Sequence, residues 1–237
     1  MQIISAWSGP RNVSTALMYS FAQRDDTEVV DEPLYGHYLH HVPVEHPGRE
    51  EVLKAMETNG IQVMEDLLKK GQKPIRFLKN MAHHWVSLDH ELLDHFTNIL
   101  LIRDPREMLP SLTKQLPNAG LDDTALNKQV TLFDHLSRKG NKPIIIDSKH
   151  VLLDPQKILA KLCGLLDIPF HQKMLHWQPG PRPEDGPWAK YWYKAVHASK
   201  GFEPYKQKKE PFPAALLPLL ETCNPYYDYL YHHALKD

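Results

Sequence analysis

Cysteine is nearly missing: Cys163 and Cys223 are the only two among 237 residues. Two thiols build neither a disulfide framework nor a four-thiolate zinc site, so a reducing, cytoplasmic setting is expected. Glycine is scarce, 11 residues against 20 prolines, and the G-x-x-x-x-G-K-[ST] pattern of a Walker loop does not occur. Neither sign of charge prevails, with 28 basic and 29 acidic residues. That balance argues against a sequence-blind electrostatic grip on nucleic acid or on an anionic membrane. Long apolar runs are lacking too. No window approaches the roughly 20 residues that a membrane helix needs, and the opening residues lack a basic n-region and a long enough apolar stretch for a signal peptide. What remains is an ordinary globular composition, 42% apolar and 24% charged, with enough chain to bury a full core as one domain, 1–237.

Five short apolar runs read as buried strands of a parallel sheet: Gln2–Trp7, Glu28–Val30, Ile75–Leu78, Asn98–Ile102 and Pro143–Ile146. Amphipathic stretches fill the gaps. Ser14–Gln23, Arg49–Lys70 with a break expected at Asn59-Gly60, Pro105 to about Gln115, Thr124–Arg138 and Asp154–Leu166 predict helices. Strands alternating with helices imply right-handed crossovers and a three-layer α/β/α fold around a mostly parallel sheet. Prolines crowd the chain after residue 168, which predicts an irregular, loop-rich part from about 176. The cluster Lys206, Lys208 and Lys209, balanced by Glu203 and Glu210, reads as a solvated loop.

The segment Ser8-Gly9-Pro10-Arg11-Asn12-Val13-Ser14-Thr15 joins the first strand to the first helix. Such a loop points several backbone N–H groups and a helix N-terminus at one spot, an anion site by construction. Arg11 adds a charged fork, and Ser14 and Thr15 add hydroxyl donors. Pro10–Thr15 resembles the loop P-[KR]-[SA]-G-[ST]-[ST] of sulfotransferases that use 3′-phosphoadenosine 5′-phosphosulfate (PAPS). Arg103-Asp104-Pro105, with Ser111 eight residues after the arginine, resembles a second signature of that family. The similarity spans most of residues 1–205 and implies a P-loop-like fold.

The resemblance also implies roles. Arg11, Asn12, Val13, Ser14 and Thr15 would hold the 5′-phosphosulfate, and Arg103 and Ser111 the 3′-phosphate. Glu32, which precedes Pro33 after the second strand, would be the catalytic base, with Asp31 ranked below it. Lys79 would approach the sulfuryl group together with Arg11, and His83 and His84 are fallback bases. Lys200 and Gly201 resemble the late segment that closes over the cofactor. The implied partner is a small-molecule acceptor bearing a hydroxyl or an amine. The alternatives are a P-loop-type kinase, for which Ile144–Asp147 would supply a magnesium-binding aspartate, and a non-catalytic nucleotide-binding relative.

Two positions depart from the family pattern. Val13 stands where glycine is usual, and a β-branched residue resists positive φ. Either the loop takes a shape that needs no glycine there, or it receives phosphosulfate in an unusual way. Asn12 replaces a small residue. Fifteen histidines, with His37, His40, His41 and His46 in one group and His83, His84 and His90 in another, raise a metal reading. No zinc-ligand spacing accompanies them, and no metal is expected. The stretch Tyr35–His46 either lines an acceptor pocket or packs. The late aromatics Trp188, Tyr191, Trp192 and Tyr193 either stack on adenine or wall the acceptor site, and for Trp188 and Trp192 the alternative is a place in the core.

Overall fold

A computed structural model of the chain describes residues 1–208 and 210–236; Lys209 of the basic cluster lies outside the described residues. Five strands form the sheet: β1 (Gln2–Ser8), β2 (Thr27–Asp31), β3 (Ile75–Met81), β4 (Thr97–Ile102) and β5 (Ile144–Asp147). They lie in the order β2-β3-β1-β4-β5 and every pairing is parallel. The apolar runs explain the order. β1 and β4 are buried almost end to end, as central strands covered on both faces must be.

Successive side chains of β1 serve different layers. Ile4 and Ala6 face the layer of α1 (Ser14–Ala22), α8 (Ser148–Leu153) and α9 (Pro155–Leu165), against Leu17, Phe21, Val151, Ile158 and Leu162. Ile3 and Trp7 face α4 (Gly60–Leu68) and α7 (Leu126–Arg138), against Met64, Leu132 and Phe133. The three-layer reading is thereby met.

Several details sharpen or correct the sequence reading. The long stretch after Arg49 divides into α3 (Arg49–Ala55) and α4, where the Asn59 side chain accepts from the Ile61 and Gln62 N–H groups. That cap is why the break falls there. The stretch read as Thr124–Arg138 is α7 (Leu126–Arg138), preceded by a short α6 (Leu121–Thr124) that ends on a left-handed Ala125. The stretch beginning at Tyr35, to which the sequence reading assigned no element, forms the helix α2 (Tyr35–His41).

The largest correction concerns the end of the chain. After the short helices α10 (Ala189–Trp192) and α11 (Lys194–His197), it closes with α12 (Leu217–His232), 16 residues long. The prolines misled: Pro218 sits in the first turn of α12, where proline fits, and Pro225 is carried inside the helix. Leu220, Cys223 and Leu230 bury one face of α12. Beyond it, the Leu235 N–H bonds the Ile145 carbonyl at 2.7 Å, on the open side of edge strand β5.

Among the described residues no helix is long and apolar enough to cross a membrane.

Candidate active site

All five strands run the same way, so their carboxyl ends meet at one edge. β3 and β4 flank β1, and the crevice where the strand order reverses opens beside β1. A cavity of about 620 Å³ lies there, within the range of ligand sites.

The loop after β1 enters it first. Gly9 passes under the end of α6, and a Cβ there would meet the Thr124 carbonyl oxygen at 2.5 Å; only glycine permits that approach. Val13 has φ −93°, an ordinary value for a branched residue. The left-handed position is instead Arg11, with φ +53°. Of the two alternatives for Val13, the loop takes the first: no glycine is needed at that position. The Asn12 side chain ties the loop to β4, donating to the Leu101 carbonyl at 3.0 Å and accepting from the Val13 N–H. No side chain caps α1, so its first N–H groups and the positive end of its dipole are left for a ligand.

The loop after β4 brings the second motif to the same spot. Asp104 caps α5 (Pro105–Leu112) through the Arg106 N–H, which aims Arg103 back at the first loop. Arg11 Nε donates to Ser111 Oγ at 2.9 Å, and Arg103 Nη1 donates to the Arg11 carbonyl. The two arginines, 92 positions apart, thus converge. Burial and then the charge of Arg103 hold the Arg11 guanidinium below its ordinary pKa, and burial does the same to Arg103. Glu107 lies 3.8 Å from Arg103, with Asp147 and Asp104 acting on it from further off, and the Arg103 Nε is buried with no partner. Two crowded cations and an orphan donor make a place that favours a multiply charged anion.

The third group sits across the cavity. β3 continues past Leu78 to Met81, so Lys79 lies within the strand, 2% exposed. Its ammonium donates to Asp31 Oδ1 at 2.9 Å, to Glu32 Oε1 and to the Tyr193 hydroxyl at 2.5 Å. An ammonium has three donors, and all three are engaged. Lys79 thus lines the cavity with its three N–H groups turned to its neighbours.

Tyr193, at the junction of α10 and α11, also donates to Asp31 and accepts from Trp188 Nε1 at 3.1 Å. Glu32 is held by its N–H to the Lys79 carbonyl at 2.8 Å while its φ is +42°. A strained residue just past edge strand β2 marks a position kept for its side chain. Burial pushes the Glu32 carboxyl up, against the pull of Lys79 and with the charge of Asp31. Lys79 itself, despite burial, is held above its ordinary value by Asp31 and Glu32.

Removing the Tyr193 hydroxyl leaves Lys79 a buried, unanswered donor. We expect Tyr193→Phe to cost about 1–3 kcal/mol, read as a lowered urea midpoint with an unchanged slope. An unchanged midpoint would mean that the hydroxyl carries no share of this cluster.

The far wall is aromatic. Tyr35 and Tyr38 of α2 stack on His84, each with ring centroids 4.7 Å apart, and Tyr35 meets Trp188 edge to face at 5.1 Å. His46 accepts or donates through Nδ1 to the Tyr35 hydroxyl at 2.9 Å. Burial pulls His83 down to about 3 and His84 well below its ordinary value, so both imidazoles stay neutral. His84 Nδ1 lies 3.9 Å from Glu32 Oε2. Tyr35, His46, Trp188 and Trp192 all line the cavity.

Of the other expected site residues, Asn12, Val13, Ser14, Thr15, Ser111 and Gly201 line the cavity. Lys200 does not; it is exposed, and its carbonyl accepts from the Trp177 N–H. Asp147, the magnesium ligand of the kinase alternative, is buried away from the cavity. It caps α8 through the Lys149 N–H and accepts from the Tyr227 hydroxyl. Among the described residues no group of three or more His, Cys, Asp or Glu side chains is placed to hold a metal ion. Tyr193 belongs to the aromatic group Trp188, Tyr191, Trp192 and Tyr193 that the sequence offers for the site, but its bonds to Lys79 and Asp31 join residues far apart in the chain and carry no local signal.

Strand order and crevice place paired arginines and a buried carboxylate in one cavity of a parallel α/β fold. A family profile described as a sulfotransferase domain matches residues 1–234, and the chain belongs to the sulfotransferase family. It is 41% identical over 235 residues to a branched-chain-amino-acid aminotransferase-like protein 2 of Arabidopsis thaliana, covering 98% of this chain but only 42% of that relative's length. Among solved structures it resembles a sulfotransferase from Alicyclobacillus acidocaldarius, with a TM-score of 0.57, 12% identity and coverage of 99% and 98% of the two chains. It also resembles the sulfotransferase domain of the Synechococcus PCC 7002 olefin synthase, with a TM-score of 0.54, 17% identity and coverage of 93% and 94%. At those identities the likeness speaks for the fold.

Proposed function

We propose that this chain transfers a sulfuryl group from PAPS to the hydroxyl of a small-molecule acceptor, in the cytoplasm. One observation carries the reading: Arg11, Ser111 and Arg103, from two motifs far apart in the chain, form a single hydrogen-bonded group in one cavity. Crowded guanidinium groups, the partnerless Arg103 Nε and the uncapped start of α1 suit a ligand with several phosphate-type oxygens. The donor, when bound, supplies the sulfuryl group.

The residues then divide the work. Arg11, Ser14, Thr15 and the N–H groups of α1 bind the phosphosulfate end, and Arg103 and Ser111 the 3′-phosphate. Glu32 takes the acceptor's proton on its carboxylate, helped by the raised basicity that burial gives it. Lys79 and Tyr193 fix the direction of that carboxylate.

The aminotransferase in the plant relative's name is not the reading we favour for this segment. Such chemistry on a lysine needs a neutral amine, whereas Lys79, the buried lysine among the described residues, is held protonated between two carboxylates.

Thermal melting tests the donor. Adenosine 3′,5′-bisphosphate without magnesium, at 100 times its Kd, is expected to stabilise the protein by about 2.7 kcal/mol, while ATP with magnesium does much less. A shift with ATP and magnesium alone would favour the phosphotransferase.

A further inference from the structure

The cavity has a second end, and its chemistry narrows the acceptor. We infer that the wall opposite the arginines takes an uncharged, ring-bearing alcohol and rejects acceptors that carry an acidic or cationic group; this rests on the sulfuryl-transfer reading.

Three observations carry it. The first is the material of the wall: Tyr35, Val44, Val86, Trp188 and Trp192 are apolar or aromatic and line one continuous surface. Flat side chains set edge to face, as Tyr35 and Trp188 are, favour another ring among them.

The second is that, among the described lining residues at this end, no cation is both buried and free. Lys79 has spent all its donors on Asp31, Glu32 and Tyr193. Lys128 is half-exposed, 3.6 Å from the exposed Asp122 carboxylate, and is a solvated charge, not one set in the wall. The imidazoles of His46, His83 and His84 are all shifted toward the neutral form. A carboxylate, sulfate or phosphate on the acceptor would be stripped of water with nothing to replace it, a heavy cost.

The third observation concerns an ammonium. Glu32 is already bonded to Lys79, and Asp122 and Asp123 are exposed rim residues whose oxygens accept from Asn127 and from the Gly120 N–H. Screened rim carboxylates compensate poorly for burying a cation against rings.

A matched set of ligands decides the matter by calorimetry on the whole chain, without donor. 4-Methylbenzyl alcohol, 4-(hydroxymethyl)benzoate and 4-(aminomethyl)benzyl alcohol share one ring and one hydroxymethyl group. The neutral alcohol is expected to bind at least about tenfold tighter than either charged analogue. Equal or tighter binding of the benzoate or the amine would overturn the inference.

A lysine on the wall, Val86→Lys or, if that protein fails to melt cooperatively, Val44→Lys, is expected to raise the relative affinity of the benzoate about tenfold. An unchanged ratio would place the ligand elsewhere and also overturn it. The two readings fail separately. Loss of adenosine 3′,5′-bisphosphate binding with the neutral preference intact counts against PAPS and not against the wall. Bisphosphate binding with a charged preference counts against the wall alone.

Discussion

Arg103→Ala is expected to weaken adenosine 3′,5′-bisphosphate binding on the order of 10²- to 10³-fold, measured by calorimetry. Truncating one partner of a desolvated charge contact costs roughly 2–5 kcal/mol, with tenfold for each 1.4 kcal/mol. Arg103 belongs in that range because it does two things. It offers its own buried guanidinium, and it holds the Arg11 carbonyl, so its loss also loosens the loop that carries Arg11, Ser14 and Thr15. Arg103→Lys separates the two. It keeps the charge and loses the fork, and it is expected to fall between wild type and alanine. A loss below fivefold in Arg103→Ala would remove this residue from the donor site.

Glu32→Gln is expected to lower kcat by about 10²- to 10⁴-fold, the usual worth of a positioned base, with bisphosphate affinity unchanged. The pH profile carries the sign. Burial raises the Glu32 carboxyl above its ordinary value of 4.5, so the ionised base is present above that raised value. The wild-type rate falls as pH drops through it, at a higher pH than an exposed glutamate would show. The same limb should vanish in Glu32→Gln. Stability moves the other way. A carboxyl whose folded pKa is raised loses stability as pH climbs past its unfolded value, because folding disfavours the charge. Lys79 still has Asp31, so removing the second carboxylate relieves the fold. Glu32→Gln should melt above wild type at pH 7, the gain shrinking toward pH 4. A variant that kept full rate would put the base elsewhere.

Much of this arrangement was legible in the chain, and the reason is local. β1, β4 and β5 are short apolar runs with turn chemistry at both ends, and their periodicity needs no tertiary knowledge. The Asp104-Pro105 and Asp154-Pro155 starts and the Asn59 cap were readable because a cap and its helix are neighbours in sequence. The loop carrying Arg11 was readable by position. What escaped depends on distant partners. Lys79 looked like a strand-end lysine; its burial follows from the carboxylates of Asp31 at the end of β2 and Glu32 just after it, and from a hydroxyl 114 positions away. Helix α12 hid behind Pro218 and Pro225, residues whose local meaning is to stop a helix. Lys200, chosen by likeness to a short motif, lies off the cavity.

The main-chain bond from Leu235 to Ile145 has a meaning for solubility. β5 is four residues long and forms one border of the sheet, and an uncovered border offers its carbonyls to any other extended chain. By answering the Ile145 carbonyl itself, the tail after α12 acts as a guard against strand-to-strand association. The segment after α12 thus covers a lateral border of the sheet, while the candidate site opens at the carboxyl ends of its strands.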